Sequence, residues 1–333
     1  MQDQKNLFLA IGLSVAIIVI FQLLFPQQTL MNNEEKAIKE DLQPSTSIDQ
    51  TQQVDSKAIL TKDKIIKNSK RIIINTPSLK GSINLKGAII DDLVLLKYNE
   101  SIDPDSNYIE LFSPDKTTSP YYVEVGWKSL SNSALNTELP NSETEWNASN
   151  SLLSSKSPVT LSWINSDNIK FKISIEIDDN YLFKISQEIE NNSSKTFEVF
   201  PYRLINRINR PETINFFILH EGLISLLNEE LLEKDYDDLS DDCSSSASNK
   251  SDFCDQKSTG GWLGFTDKYW MAALIPDQDE PINANYRHSK DPRENFRVGY
   301  AGQVFTIKPN STFTYNGKVF AGAKVLKILN SYQ

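Results

Sequence analysis

The chain has 333 residues, 39% of them hydrophobic and 10% aromatic, with a formal net charge of −10. Aromatic content of this order predicts a real core, and the acidic balance argues against nucleic acid and against a broad electrostatic grip on anionic lipid, both of which need clustered Lys and Arg. Two cysteines exclude a disulfide-dense scaffold, and a body of roughly 260 residues needs none.

In chain order, the first element is Leu7 to Phe25, nineteen residues with only Ser14 and Gln22 polar. As a helix it spans about 28 Å, close to a hydrocarbon core of roughly 30 Å. It exits through Phe25, Pro26, Gln27 and Gln28 with no Ala-x-Ala site, so residues 1–26 are expected to be a retained transmembrane signal-anchor rather than a cleaved signal. Lys5 before it and Lys36 and Lys39 after it do not fix its direction. The large polar portion that follows suits export.

Residues 27–70 are polar, with no aromatic residue between Phe25 and Tyr98. Such a stretch cannot bury enough surface to offset its ordering entropy and is read as a flexible linker, reaching on the order of 40 Å. The body begins near Arg71, where short β-branched runs alternate with turn residues. Its clearest element is a hairpin over Lys170–Asn191: Phe171, Ile173, Ile175 and Ile177 alternate with polar residues, Asp178-Asp179-Asn180 turns, and Tyr181, Phe183, Ile185 and Ile189 resume the period. Further strands are expected at Tyr121–Lys128, Val159–Ile164, Thr196–Ile205, Trp262–Phe265, Tyr269–Ile275, Phe296–Ile307 and Thr312–Ala321. Leu130–Lys156 reads as a loop excursion. The end of the chain places Val325, Leu326, Leu329 and Tyr332 at helical spacing, predicting a closing helix with one apolar face. The fold class is mainly β, a sandwich of two sheets.

Glu233–Lys257 is acidic and Ser-rich and is expected to be a solvated loop; it lacks the order of a calcium loop. Cys243 and Cys254 lie inside it. In an oxidising compartment they form a possible disulfide; free thiols or a metal site are the alternatives, and zinc would need two further ligands, with His220 the nearest histidine. Nucleotide, dinucleotide, serine-hydrolase and zinc-protease motifs are absent. His220, in the tripeptide His220-Glu221-Gly222, is read as a turn residue bonded to backbone, with acid/base work beside Glu221 as the functional alternative. His288 sits among polar residues and is expected to be solvated. Arg203, Arg207 and Arg210 are expected to pair with the acidic surface rather than with lipid headgroups or a partner. No residue is assigned a catalytic, cofactor-binding or metal-binding role. The double glycine of GGWLGFTDKYWMAALIPD, Gly260–Asp277, allows a tight turn between two core strands.

An ordered series of stretches resembles the YidC family of membrane protein insertases of Gram-negative bacteria: NLFLAIGLSVAIIVIFQLLF, GAIIDDLVLLKY, YLFKISQEIEN, FPYRLINR, HEG, GGWLGFTDKYWMAALIP and VFAGAKVLKIL. The resemblance implies a cytoplasmic N-terminus, one inner-membrane helix, and a periplasmic β-supersandwich of two large antiparallel sheets over 71–333, similar to mutarotase-type domains. It implies no cofactor, and as partners nascent inner-membrane proteins, the lipid bilayer and the Sec translocon (SecYEG and SecD/SecF-type subunits). Family members continue into further membrane helices that carry the insertase groove, and Gln333 falls where that part is expected to begin. A sugar-binding or mutarotase-like periplasmic enzyme on the same fold is the rival reading.

Overall fold

The computed structural model describes residues 59–103, 105–130, 137–211, 219–244 and 250–332. The segment bounded by Leu7 and Phe25 lies outside them, and among the described residues no helix is long and apolar enough to cross a membrane. Within the segment read as linker, residues Lys62–Lys67 form a helix (α1), and Lys62 Nζ lies 2.9 Å from Asp92 and 3.1 Å from Glu110.

The strands follow in order: β1 (Arg71–Asn75), β2 (Leu79–Asn84), β3 (Ile89–Asn99), β4 (Tyr108–Phe112) and β5 (Tyr121–Lys128). The expected loop excursion contains two minimal strands, β6 (Asn147–Ala148) and β7 (Leu152–Leu153). Next come β8 (Val159–Ile164), β9 (Ile169–Ile177), β10 (Leu182–Asn191), β11 (Phe197–Ile208), β12 (Gly222–Leu227) and β13 (Glu230–Lys234). A helix α2 (Tyr236–Asp242) precedes β14 (Asp255–Thr259), β15 (Trp262–Thr266), β16 (Trp270–Pro276) and β17 (Pro281–Ser289). The expected strand Phe296–Ile307 is two strands, β18 (Asn295–Ala301) and β19 (Phe305–Ile307), because the chain leaves the ladder at Gly302. β20 (Ser311–Ala323) and α3 (Leu326–Asn330) close the fold.

These strands make two sheets. The larger has eleven, ordered β14-β17-β18-β11-β5-β3-β2-β1-β7 with β4 beside β3 and β19 beside β11; the smaller has nine, ordered β13-β12-β15-β16-β20-β10-β9-β8-β6. Neighbouring strands run antiparallel except β1 and β7, which are parallel.

The period of two is realised in the β9–β10 hairpin. Phe171, Ile173, Ile175, Phe183, Ile185 and Ile189 are buried, while Lys172 on the opposite face bridges Glu188 at 2.8 Å and also contacts Glu190. Between the sheets Trp127 packs edge-on against Phe171 (5.4 Å between centroids) and stacks on Trp146 (6.4 Å). At 25–30 cal/mol per Å² of apolar surface removed from water, aromatic side chains of this size dominate the favourable side of folding. A smaller cluster of Phe200, Tyr202, Leu204 and Ala301 lies apart from the main core. Gly260 (φ 63°) and Gly261 (φ 84°) supply the left-handed turn between β14 and β15. In α3 the apolar face differs from the expected one: Leu326 is 71% exposed, while Val325, Ile328, Leu329 and Tyr332 pack on the core. Val325, Ile328, Leu329 and Tyr332 recur at three- and four-residue spacing and share one face, and Leu326 falls off it.

Candidate functional site: an arginine strand and the acidic segment it holds

β11 enters the space between the sheets with alternate residues, so Arg203, Ile205 and Arg207 fall on one face. Arg203 is fully buried. Its Nη2 donates to Ile185 O at 2.9 Å and its Nε to Gln187 Oε1 at 3.1 Å. Gln187, also fully buried, returns a bond from Nε2 to Gly126 O at 2.7 Å. The expectation of a surface ion pair for Arg203 is therefore corrected: it is an inter-sheet group whose charge meets neutral oxygens. Gln187 stands where the strand period calls for an apolar residue, and that break in the pattern was the signal available in the sequence.

Arg207 binds Asp267 at 2.7 Å and Tyr236 Oη at 3.0 Å, and lies 4.5 Å above the Tyr121 ring. Burial works against its charge, but Tyr236 and Asp267 outweigh burial and the net pKa shift is upward. Arg210 contacts Asp237 and lies 3.8 Å from Glu294. Arg207 and Arg210 thus pair with carboxylates, as expected.

Two of these partners, Tyr236 and Asp237, come from the acidic segment, which is not the solvated loop its composition suggests. Asp235 caps α2, its side chain accepting from Asp238 N at 2.8 Å. Tyr236 and Leu239 turn inward and are buried. The Tyr236 ring stacks on Phe265 (6.0 Å) and meets Phe296 edge-on (4.8 Å). Two apolar anchors one helical turn apart dock the helix, and Glu233, Asp235, Asp237 and Asp241 remain exposed on the other side. Cys243 and Cys254, both buried, are joined by a disulfide with their Cα atoms 5.6 Å apart. Arg287 fixes the far end, donating to Cys254 O at 2.9 Å and Asp255 Oδ1 at 2.5 Å.

His288 corrects a second expectation. It belongs to β17, is fully buried, and its backbone N–H donates to Cys243 O at 2.9 Å, so the acidic segment covers it. Its ring lies 4.8 Å from Phe296 and its Nε2 3.2 Å from Glu294 Oε1. Burial lowers its pKa below the usual histidine value, against the opposing pull of Glu294.

His220 occupies the turn before β12, with Nε2 2.6 Å from Leu223 O; a carbonyl only accepts, so Nε2 carries the proton. Glu221 accepts from Lys268 N at 3.2 Å. Neither lines a groove of about 630 Å³ bounded by Lys156, Glu176, Asp178, Lys184, Lys318 and Tyr332, nor one of about 430 Å³ beside α1. Among the described residues no group of three or more His, Cys, Asp or Glu side chains is placed to hold a metal ion. The arrangement presents exposed carboxylates on a buried seat of Tyr236, Leu239 and the disulfide.

Residues 71–333 match the family model described as the YidC periplasmic domain. The membrane protein insertase YidC of Rickettsia bellii (strain OSU 85-389) is 36% identical over 332 residues, covering 98% of this chain and 56% of that protein. Its counterpart in Beijerinckia indica subsp. indica is 33% identical over 348 residues, covering 100% of this chain and 56% of that one. The chain thus spans about half the length of the curated relatives it matches. Among solved structures, a galactose mutarotase related enzyme from Lactobacillus acidophilus aligns with TM-score 0.50 at 8% identity, covering 77% of this chain and 100% of that one. At that identity the likeness is one of fold alone.

Proposed function

The chain belongs to the YidC family, whose periplasmic domain it carries at residues 71–333, and from that premise we propose that it serves the insertion and folding of inner-membrane proteins, alone or with the Sec translocon. In this reading Leu7–Phe25 anchors the chain in the inner membrane with its N-terminus in the cytoplasm, residues 27–70 tether the body, and residues 71–333 stand in the periplasm. The domain presents contact surface to nascent inner-membrane proteins and to SecYEG or SecD/SecF-type subunits, and no covalent chemistry is asked of it.

The observation that carries this reading is the extent of the similarity. Two relatives named membrane protein insertase YidC align over 98% and 100% of the chain, beyond the periplasmic domain and through the apolar N-terminal segment. The mutarotase-like alternative has fold likeness in its support, but His220 and Glu221, its acid/base pair, are spent on backbone groups.

The test is complementation. In Gram-negative cells depleted of their own insertase, the gene containing this chain should restore integration of a Sec-independent inner-membrane reporter. Normal expression without restored integration would overturn the proposal. Alkaline phosphatase fused after Ser56 should be active in the same cells, and an inactive fusion would reverse the orientation.

A further inference from the structure

The outer face of the smaller sheet sorts its charges unevenly. At one end Lys172 of β9 is shared by two carboxylates of β10, Glu188 at 2.8 Å and Glu190. At the other end Lys184 of β10 is the register partner of Lys318 of β20, so two ammonium side chains leave the sheet from directly opposed positions. Like charges placed in this way destabilise a sheet. Both lysines are exposed, and neither forms an ion pair with a described residue. On its other side Lys184 is opposed by Glu176 of β9, also exposed and also without an ion pair among the described residues. All three line the groove of about 630 Å³. The turn between β7 and β8, where Ser154 and Ser157 exchange backbone hydrogen bonds at 3.1 Å, adds Lys156 to its lining. Asp178 lines it too but is already committed: it accepts from the backbone of Asn180 and Leu182 and from the Tyr332 hydroxyl at 2.5 Å. The uncommitted charges of the groove are therefore three ammonium groups and one carboxylate, on a chain of net charge −10.

We propose that this groove binds an aminoethyl phosphodiester, the headgroup chemistry of phosphatidylethanolamine, with its phosphate between Lys184 and Lys318 and its ammonium on Glu176. A phosphodiester offers oxygens to two ammonium groups at once, and its negative charge relieves their repulsion. A simple anion would gain the same contacts but meet the Glu176 carboxylate beside them. A primary ammonium two carbons from the phosphate turns that repulsion into a charge-assisted hydrogen bond. The row Lys318, Lys184, Glu176 runs across three neighbouring strands, which lie about 4.8 Å apart. A two-carbon spacer between phosphate oxygen and nitrogen covers one such step. Lys156 contributes a third positive charge from the turn, and Ile177 and Leu182, both buried, supply apolar lining for the carbon atoms.

The experiment follows amide NMR signals of the full chain in nonionic detergent as glycerophosphoethanolamine is added, with glycerophosphocholine and inorganic phosphate as comparison probes. Saturable shifts are expected at Glu176, Lys184 and Lys318. The choline compound has no N–H to give Glu176 and is expected to bind on the order of tenfold more weakly. Lys184→Gln and Lys318→Gln change exposed side chains, and unchanged signals elsewhere report that the fold is kept; each is expected to weaken binding on the order of tenfold. Glu176→Gln is expected to abolish the preference for ethanolamine over choline. The source is read in nanodiscs of phosphatidylcholine alone and of equal parts phosphatidylcholine and phosphatidylethanolamine. The same shifts in the mixed discs assign the site to a lipid headgroup; shifts with the soluble diester alone assign it to a free phosphodiester. Absence of saturable shifts at these three residues with glycerophosphoethanolamine would overturn the proposal. So would equal affinity for all three probes, or binding that survives both lysine substitutions unchanged.

Discussion

Arg203 and Gln187 clasp the two sheets: each contacts the other at 3.1 Å, and each also bonds a main-chain oxygen of the sheet it does not belong to. The clasp predicts an asymmetric penalty. Gln187→Leu fits the apolar period of β10 but strands Arg203 Nε and Gly126 O in the interior. It should cost about 2–4 kcal/mol in urea unfolding, since a buried donor or acceptor left alone carries its full desolvation penalty. A loss below about 0.5 kcal/mol would show that the bridge contributes nothing net.

Gly317 should tolerate no side chain while Arg203 is in place. Its Cβ would fall 2.0 Å from Arg203 Nη1 and 3.0 Å from Ile275 O. Gly317→Ala is expected to destabilise by about 1–3 kcal/mol through overpacking. In an Arg203→Met background the penalty should shrink, and a double-mutant cycle on thermal unfolding reads the coupling directly. Additive effects would mean that the glycine is required for some other reason.

Removing the disulfide should loosen one segment before it affects the whole. Cys243 and Cys254 are separated by 11 in sequence, and closing a loop of that length is worth about 3 kcal/mol in the unfolded-chain account. Cys243→Ala with Cys254→Ala should lower global stability by up to that amount. It should also speed amide exchange at His288, whose N–H is bonded to Cys243 O. Unchanged exchange there would show that Tyr236 and Leu239 hold the segment unaided.

Much of the β framework was legible because burial on one face imposes a period of two. The strands Tyr121–Lys128 and Val159–Ile164 and the Lys170–Asn191 hairpin lie where alternation puts them. What alternation does not carry is which strands become neighbours. β20 pairs with β10 across more than a hundred residues of chain and with β16 across more than forty, and nothing local encodes that choice. The same limit explains the site. His288 stands among polar residues in sequence and Arg203 heads a run of three arginines, but their burial is decided by α2 and by β10 arriving from elsewhere. Composition also misled at 233–257, where two inward residues, Tyr236 and Leu239, outweigh a run of aspartates.

Asp91 gives a pH dependence. Burial raises its pKa to about 6, with the adjoining Arg71 guanidinium pulling the other way. The folded chain therefore binds this proton more tightly than the unfolded chain, whose value is near 4. The contribution is fully present below about pH 4 and is lost as pH rises through about 6. Relative to Asp91→Asn, the parent should lose on the order of 3 kcal/mol of unfolding free energy between pH 4 and 7. Parallel pH profiles for the two would refute the assignment.

His288 has the opposite sign. Its folded pKa is depressed, so the unfolded chain binds the proton more readily. That contribution is present above the ordinary value near 6.5 and is lost as pH falls toward the folded value. A proton NMR titration of the ring should place its midpoint below 6.5, and a midpoint above it would mean that Glu294 dominates burial.

β20 is the last of the described strands, yet it lies in the middle of its sheet, between β10 and β16. Polypeptide is made from the N-terminus, so both neighbours emerge first and wait with open edges. The smaller sheet cannot close until Ala323 has left the ribosome, which places its closure after the synthesis of all the other described strands. A stalled or nicked chain lacking Ser311–Ala323 would expose two apolar ladders ready to pair with other strands.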